Sequence, residues 1–135
     1  MRSLVLATVV ATVVAGMVFV ARAGRHLTFE RDARGTVRTR LDVSPLDTAH
    51  RPSVDIMFQS AAAVYGSRVL GLIMTGMGED GRDGAAWIKA QGGCMLTEAE
   101  ESCVVYGMPR SVVDAGLSDH SAPLELIAEA ILERI

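Results

Sequence analysis

Apolar positions fall into blocks whose period changes along the chain. The first block, Leu4 to Val20, is apolar almost without a break and rich in Val and Thr, types that suit a strand as well as a membrane. Two alternating runs follow, Leu27 to Arg31 and Thr36 to Leu41, around the turn-type sequence Asp32-Ala33-Arg34-Gly35. Period two about a glycine-containing turn predicts a hairpin with one wet face. After a polar connection from Ser44 to Pro52, Val54, Met57, Phe58, Ala61, Ala62 and Tyr65 recur at helical spacing up to Gly66, which predicts a helix opened by Pro52.

Val69 to Met74 is continuously apolar, the pattern of a strand buried on both faces of a parallel sheet. A glycine-rich turn, Thr75 to Gly81, leads to a predicted helix around Ala85–Ala90, closed by Gly92-Gly93, and Cys94-Met95-Leu96 reads as a short strand. Pro109 opens a further short helix through Ala115. Leu124, Ile127, Ala128, Ile131 and Ile135 form the apolar stripe of a terminal helix that starts just beyond His120, which is expected to face solvent or to cap it. Strand, turn, helix, strand, helix is the rhythm of an open α/β sheet, and the chain shows no internal repeat.

Composition narrows the function classes. Half the residues are apolar, which excludes a disordered chain, and 135 residues suit one domain. The net charge is -3, with 13 basic residues scattered among 16 acidic ones, so no basic stripe exists for nucleic acid. The two cysteines, Cys94 and Cys103, fit neither a disulfide framework nor a zinc site and are expected to be reduced. Arg2, the apolar residues 4–20 and Ala21-Arg22-Ala23 have the outline of a secretory signal peptide, which would make the protein exported or membrane-tethered. Cleavage after Ala23 would remove Met17 to Ala21, which the pattern assigns to a strand of the fold, so the expected location is the cytoplasm.

Gly76-Met77-Gly78-Glu79-Asp80-Gly81 is formally G-x-G-x-x-G between a buried strand and a helix, the setting of a dinucleotide-binding turn. The match fails on charge, because Glu79 and Asp80 lie where a pyrophosphate should meet a positive helix end. A second reading makes Asp80 the point of the loop. Function in open α/β sheets gathers at the carboxyl ends of strands, and an aspartate there can orient a histidine as the acid of a Ser-His-Asp triad. Neighbouring glycines would let free N–H groups face an oxyanion. On spacing alone, the simpler reading is that Asp80 or Asp83 caps the next helix.

Three ordered blocks carry a family resemblance. His50-Arg51-Pro52-Ser53-Val54-Asp55 with Ser60-Ala61-Ala62, then Thr75 to Gly81, then Ser102-Cys103-Val104-Val105-Tyr106-Gly107-Met108-Pro109, resemble the catalytic domain of the CheB-type chemotaxis protein-glutamate methylesterases. Val18 to Ala21 and Gly24 to Leu27 resemble the strand and turn ahead of these blocks, so the resemblance runs from about Ala15 to the end. It implies a Rossmann-like, mostly parallel open sheet with helices on both faces and a hairpin near the N-terminus. It also implies hydrolysis of glutamyl γ-methyl esters and deamidation of glutamine on cytoplasmic helices of methylated chemoreceptors, with no metal or organic cofactor. Asp80 matches the triad acid, and Met77, with Gly76 and Gly78, matches the loop that supports the oxyanion.

The nucleophilic serine and the histidine base that the resemblance implies have no counterpart. Both belong to turns ahead of the point where this chain starts to match. No serine here lies in a glycine-flanked turn, and His26 and His50 fall in motifs that the family carries beside its catalytic histidine. The expectation is therefore an N-terminally truncated methylesterase domain over residues 15–135, behind an apolar segment at 1–14 that is signal-like or residual. Alone it is expected to be inactive. The alternatives are a non-catalytic module that docks on receptor helices or another chain, and the dinucleotide-binding turn.

Overall fold

The computed structural model describes residues 3–6, 10–12 and 15–135, the first two segments through their backbone pairing. Among the described residues eight strands and four α-helices follow one another: β1 (Ser3–Leu6), β2 (Val10–Thr12), β3 (Met17–Val20), β4 (His26–Arg31), β5 (Val37–Asp42), α1 (Val54–Tyr65), β6 (Leu70–Ile73), α2 (Arg82–Ala90), β7 (Cys94–Glu98), α3 (Gly107–Asp114), β8 (His120–Ala122) and α4 (Ile127–Leu132).

β6, β7 and β8 form a parallel sheet in that order, with Leu70 beside Cys94 and Leu96 beside His120. Helices cover both faces, which explains the unbroken apolar run of β6. Ile73 and Met95 point into a core with Phe58, Ala62, Ala85, Ile88 and Val112 from α1, α2 and α3. Leu70, Leu72 and Leu96 point the other way, against Ile127, Ala130 and Ile131 of α4. The open α/β architecture is the one expected from the sequence.

The expected hairpin is β4–β5, antiparallel with Thr28 opposite Arg40. Its inward positions Leu27 and Leu41 pack on Met57 of α1, and Phe29 meets Tyr65 edge to face at 6.3 Å. β2 adds to the hairpin beside β5, and β1 runs parallel to β3. Positions 7–9 and 13–14 of the signal-like run lie outside the described residues. No helix among the described residues is long and apolar enough to cross a membrane.

Two local expectations change. His120 is exposed, as one of its two expected roles has it, but it caps no helix and instead opens β8. Three residues with two polar side chains carry no strand signal, and pairing with the buried β7 imposes the conformation. The terminal helix is interrupted too: Leu124–Leu126 form a 3-10 turn before α4 begins.

Candidate acid and anion-binding site at the sheet edge

The turn from Thr75 to Gly81 leaves the carboxyl end of β6 and is clamped by the segment that enters α3. Gly76 N donates to Val105 O at 2.9 Å, and Met108 N donates to Gly76 O at 2.8 Å. Gly107 permits this approach, since a Cβ there would stand 2.9 Å from Gly76 O and 3.0 Å from Gly78 N. Gly78 takes φ 91°, a left-handed conformation that glycine adopts without strain. Among the described residues no acceptor meets the N–H groups of Met77 and Gly78, and the Met77 side chain is 82% exposed. The loop thus presents unused backbone donors at its tip, the kind of group that can hold a developing oxyanion.

Asp80 does cap a helix, but the preceding one rather than the next. Its Oδ1 accepts from Ser53 Oγ at 2.9 Å and Asp55 N at 3.0 Å, and its Oδ2 accepts from Val54 N at 2.8 Å. These are the first donors of α1, so the carboxylate meets the positive end of that helix. Asp55, in the first turn of α1, returns the contact: its Oδ1 accepts from Gly81 N at 2.9 Å and Gly84 N at 2.7 Å at the start of α2. Each helix start is therefore capped by an acid from the start of the other or the loop just ahead of it. Ser53, directly after the expected opening residue Pro52, is the N-cap of α1 and its hydroxyl accepts from Ile56 N, but nothing local in the sequence marks the exchange between Asp55 and Asp80.

This exchange argues against a pyrophosphate at the glycine loop. The N–H groups of Gly81 and Gly84 that a pyrophosphate would need are already held by the carboxylate of Asp55, and Glu79 stands exposed beside them. Cap and triad acid, by contrast, are compatible. Oδ1 of Asp80 has two donors and Oδ2 has one, which leaves room on Oδ2 for an imidazole N–H.

Behind the cap, His26 is fully buried at the start of β4. Its Nδ1 accepts from Ser53 N at 3.2 Å, and its Nε2 lies 3.0 Å from Pro45 O, so the ring is a neutral tautomer donating from Nε2. The ring thereby fixes the backbone of the residue whose hydroxyl holds Asp80.

A cleft of about 350 Å³ opens over this junction, lined by His50, Ser53, Asp55, Glu79, Asp80 and Arg82 among others. It brings a serine, a histidine and an aspartate together, but in an arrangement that cannot activate the serine. Ser53 is buried and donates directly to Asp80, and no hydrogen bond joins the His50 ring to either residue. The acids around the cleft do not form a metal-binding group among the described residues.

Burial pushes the Asp80 carboxyl up, but the N–H groups of Asp55 and Val54, the Ser53 hydroxyl and the charge of His50 outweigh it and hold the group below its ordinary value of 3.8. Asp55 is shifted the other way, above its ordinary value of 3.8: burial raises it, the donors from Gly84 and Gly81 oppose that rise, and the charge of Asp80 adds to it. A depressed folded-state value means that the stability from Asp80 is fully present above pH 3.8 and disappears as pH falls through the lower folded value. Thermal melting followed by circular dichroism is expected to show a falling midpoint below about pH 3.8, and Asp80→Asn is expected to flatten that fall. An equally steep acid limb in Asp80→Asn would show that other carboxylates govern it.

The parallel open sheet with helices on both faces makes this an open α/β domain, with Asp80 and free backbone donors at its carboxyl edge. The family described as CheB methylesterase matches residues 3–131, and the chain belongs to that family. It is 58% identical over 110 residues to protein-glutamate methylesterase/protein-glutamine glutaminase 5 of Myxococcus xanthus, covering 82% of this chain and 31% of that protein. It is 47% identical over 119 residues to a protein-glutamate methylesterase/protein-glutamine glutaminase of Desulfitobacterium hafniense, covering 88% of this chain and 30% of that protein. The crystal structure of the Thermotoga maritima CheB methylesterase catalytic domain superposes with a TM-score of 0.91 at 37% identity, covering 96% of this chain and 68% of that one. The chain therefore spans about a third of the length of these curated relatives.

Proposed function

We propose that this chain supplies the acid and oxyanion side of a site that hydrolyses glutamyl γ-methyl esters, and deamidates glutamine, on the cytoplasmic helices of methylated chemoreceptors. Asp80 is the triad-type acid, ready to accept an imidazole N–H on Oδ2. Gly76, Met77 and Gly78 form the loop whose free N–H groups receive the oxyanion. The observation that carries this reading is the pairing of a fixed, ionised Asp80 with unused donors one turn away, in a chain of this family.

The 135 residues by themselves are inactive in this reading, because the cleft offers Asp80 no correctly ordered serine and histidine. What remains without them is oxyanion binding, which in known triads leaves activity orders of magnitude below the intact enzyme. Purified chain given methylated receptor is expected to release methanol no faster than the buffer control. A chimera in which residues 15–135 replace the matching segment of the Myxococcus xanthus relative is expected to release methanol at a rate near that of the relative. Rapid release by the chain alone would overturn the inactivity. An inactive but folded chimera would overturn the acid-side assignment.

A second reading, a docking module without chemistry, is favoured by the apolar side chains at the carboxyl edge, where Met77 and Val104 are 82% and 91% exposed. Receptor binding by an inactive chimera would select it.

A further inference from the structure

The loop that carries Asp80 has a second anchor, on the opposite side from the helix caps. Glu98 ends β7 and is 1% exposed, a glutamate enclosed at the sheet edge. A charged side chain is rarely enclosed unless its oxygens are matched by donors. Its Oε2 accepts from Thr75 N at 2.8 Å, the first residue of the glycine loop. Its Oε1 accepts from Ser102 Oγ at 2.9 Å, and that hydroxyl in turn accepts from Leu124 N at 2.9 Å. Glu98, with Ser102 as its relay, thus joins all three connections that leave the parallel sheet at its carboxyl end: β6 to α2, β7 to α3, and β8 to α4.

We propose that Glu98 is a positioning residue, setting the height of the Gly76–Asp80 loop above the sheet edge. The strand does not need a carboxylate for its own pairing, which runs through the backbone of Leu70–Ile73 and His120–Ala122. The carboxylate is used on Thr75 N, where β6 stops and the loop begins. Without it the loop keeps its clamp to Val105 and Met108 at Gly76 but loses the tie that fixes where the clamp stands relative to β7. The free N–H groups of Met77 and Gly78 then lose their aim. The inference rests on the proposed reading for its catalytic consequence alone; its structural content stands apart from that reading.

The test is amide hydrogen exchange, read residue by residue by NMR, on the full chain, Glu98→Ala and Glu98→Gln. In the unsubstituted chain the Thr75 amide is expected to exchange about tenfold more slowly than those of Met77 and Gly78, since it alone has an acceptor. Glu98→Ala is expected to abolish that difference and to shift the resonances of Gly76 to Asp80, leaving Ile88 in the core protected. Glu98→Gln is expected to restore both, because an amide oxygen can accept from Thr75 N while the Ser102 hydroxyl turns to Ala99 O, 3.3 Å away. Equal exchange of Thr75 and Met77 in the unsubstituted chain would overturn the proposal, and so would an unshifted loop in Glu98→Ala. If Glu98→Ala does not fold, the unsubstituted chain and Glu98→Gln still decide. In the Myxococcus chimera, Glu98→Ala is expected to lower kcat by about ten- to a hundredfold with little change in KM, and Glu98→Gln to recover most of it. A chimera that is inactive with Glu98 in place counts against the proposed function, and the exchange measurement then decides the role of Glu98 alone.

Discussion

Asp80→Asn in the chimera is expected to lower methanol release by about 10⁴-fold while costing only about 1 kcal/mol of stability. The amide oxygen at the Oδ1 position still accepts from Ser53 and Asp55, but the NH₂ group then faces the N–H of Val54, and an incoming imidazole finds a donor where it needs an acceptor. Asp80→Ala is expected to lose the same activity but to cost about 2 to 3 kcal/mol, because it strips three donors of a charged acceptor, partly replaced by water in the open cleft. In a domain of this length that corresponds to a melting shift of about 10 °C. The pair of substitutions separates the two duties of one carboxylate: stability should grade from Asp to Asn to Ala, and activity should fall at the first step. Activity that followed stability instead would leave Asp80 as a cap and nothing more.

Gly84→Val is expected to destabilise the fold by about 3 kcal/mol or more, read by denaturant unfolding of the chain. A Cβ at this position would lie 2.6 Å from Cβ of Phe58 and 3.0 Å from Cα of Asp55, where α2 packs on α1. Backbone cannot yield as a flexible side chain can, so the helices must separate. Separation also lengthens the bond from Gly84 N to Asp55, at 2.7 Å the shorter of that residue's two caps. The gain of a few tenths of a kcal/mol from removing a helical glycine is too small to offset this. A stable Gly84→Val chain with an unchanged acid limb would show that the helix crossing is looser than its geometry.

The sheet and its helices were legible because their signals are local and repeated. Val69 to Met74 is apolar at every position because both faces of β6 are covered, and Leu27 to Leu41 alternates because one face of the hairpin meets α1. β8 was not legible, since His120 and Ser121 take their conformation from β7 and carry no pattern of their own. Asp80 stood out through its place after a buried strand. Its partners did not: Asp55 is one more acid in a first helical turn, and His26 and Ser53 lie 27 residues apart. Their meeting is a product of how α1 and the hairpin fold onto the loop, which spacing along the chain does not encode. Glu98 carries no local mark of its role, since its enclosure and its bond to Thr75 follow from the end of β7 lying beside the end of β6.

The crossed caps also set the electrical balance of the cleft floor. Two helices point their amino ends at one small volume, and each contributes about half a positive charge, so together they neutralise about one of the two carboxylates lodged there. About one negative charge is left over, enough to draw a protonated ring toward Oδ2 of Asp80 without flooding the neighbouring donors with a repelling field. Exchanging either acid for its amide would bring the floor close to neutrality and remove that pull.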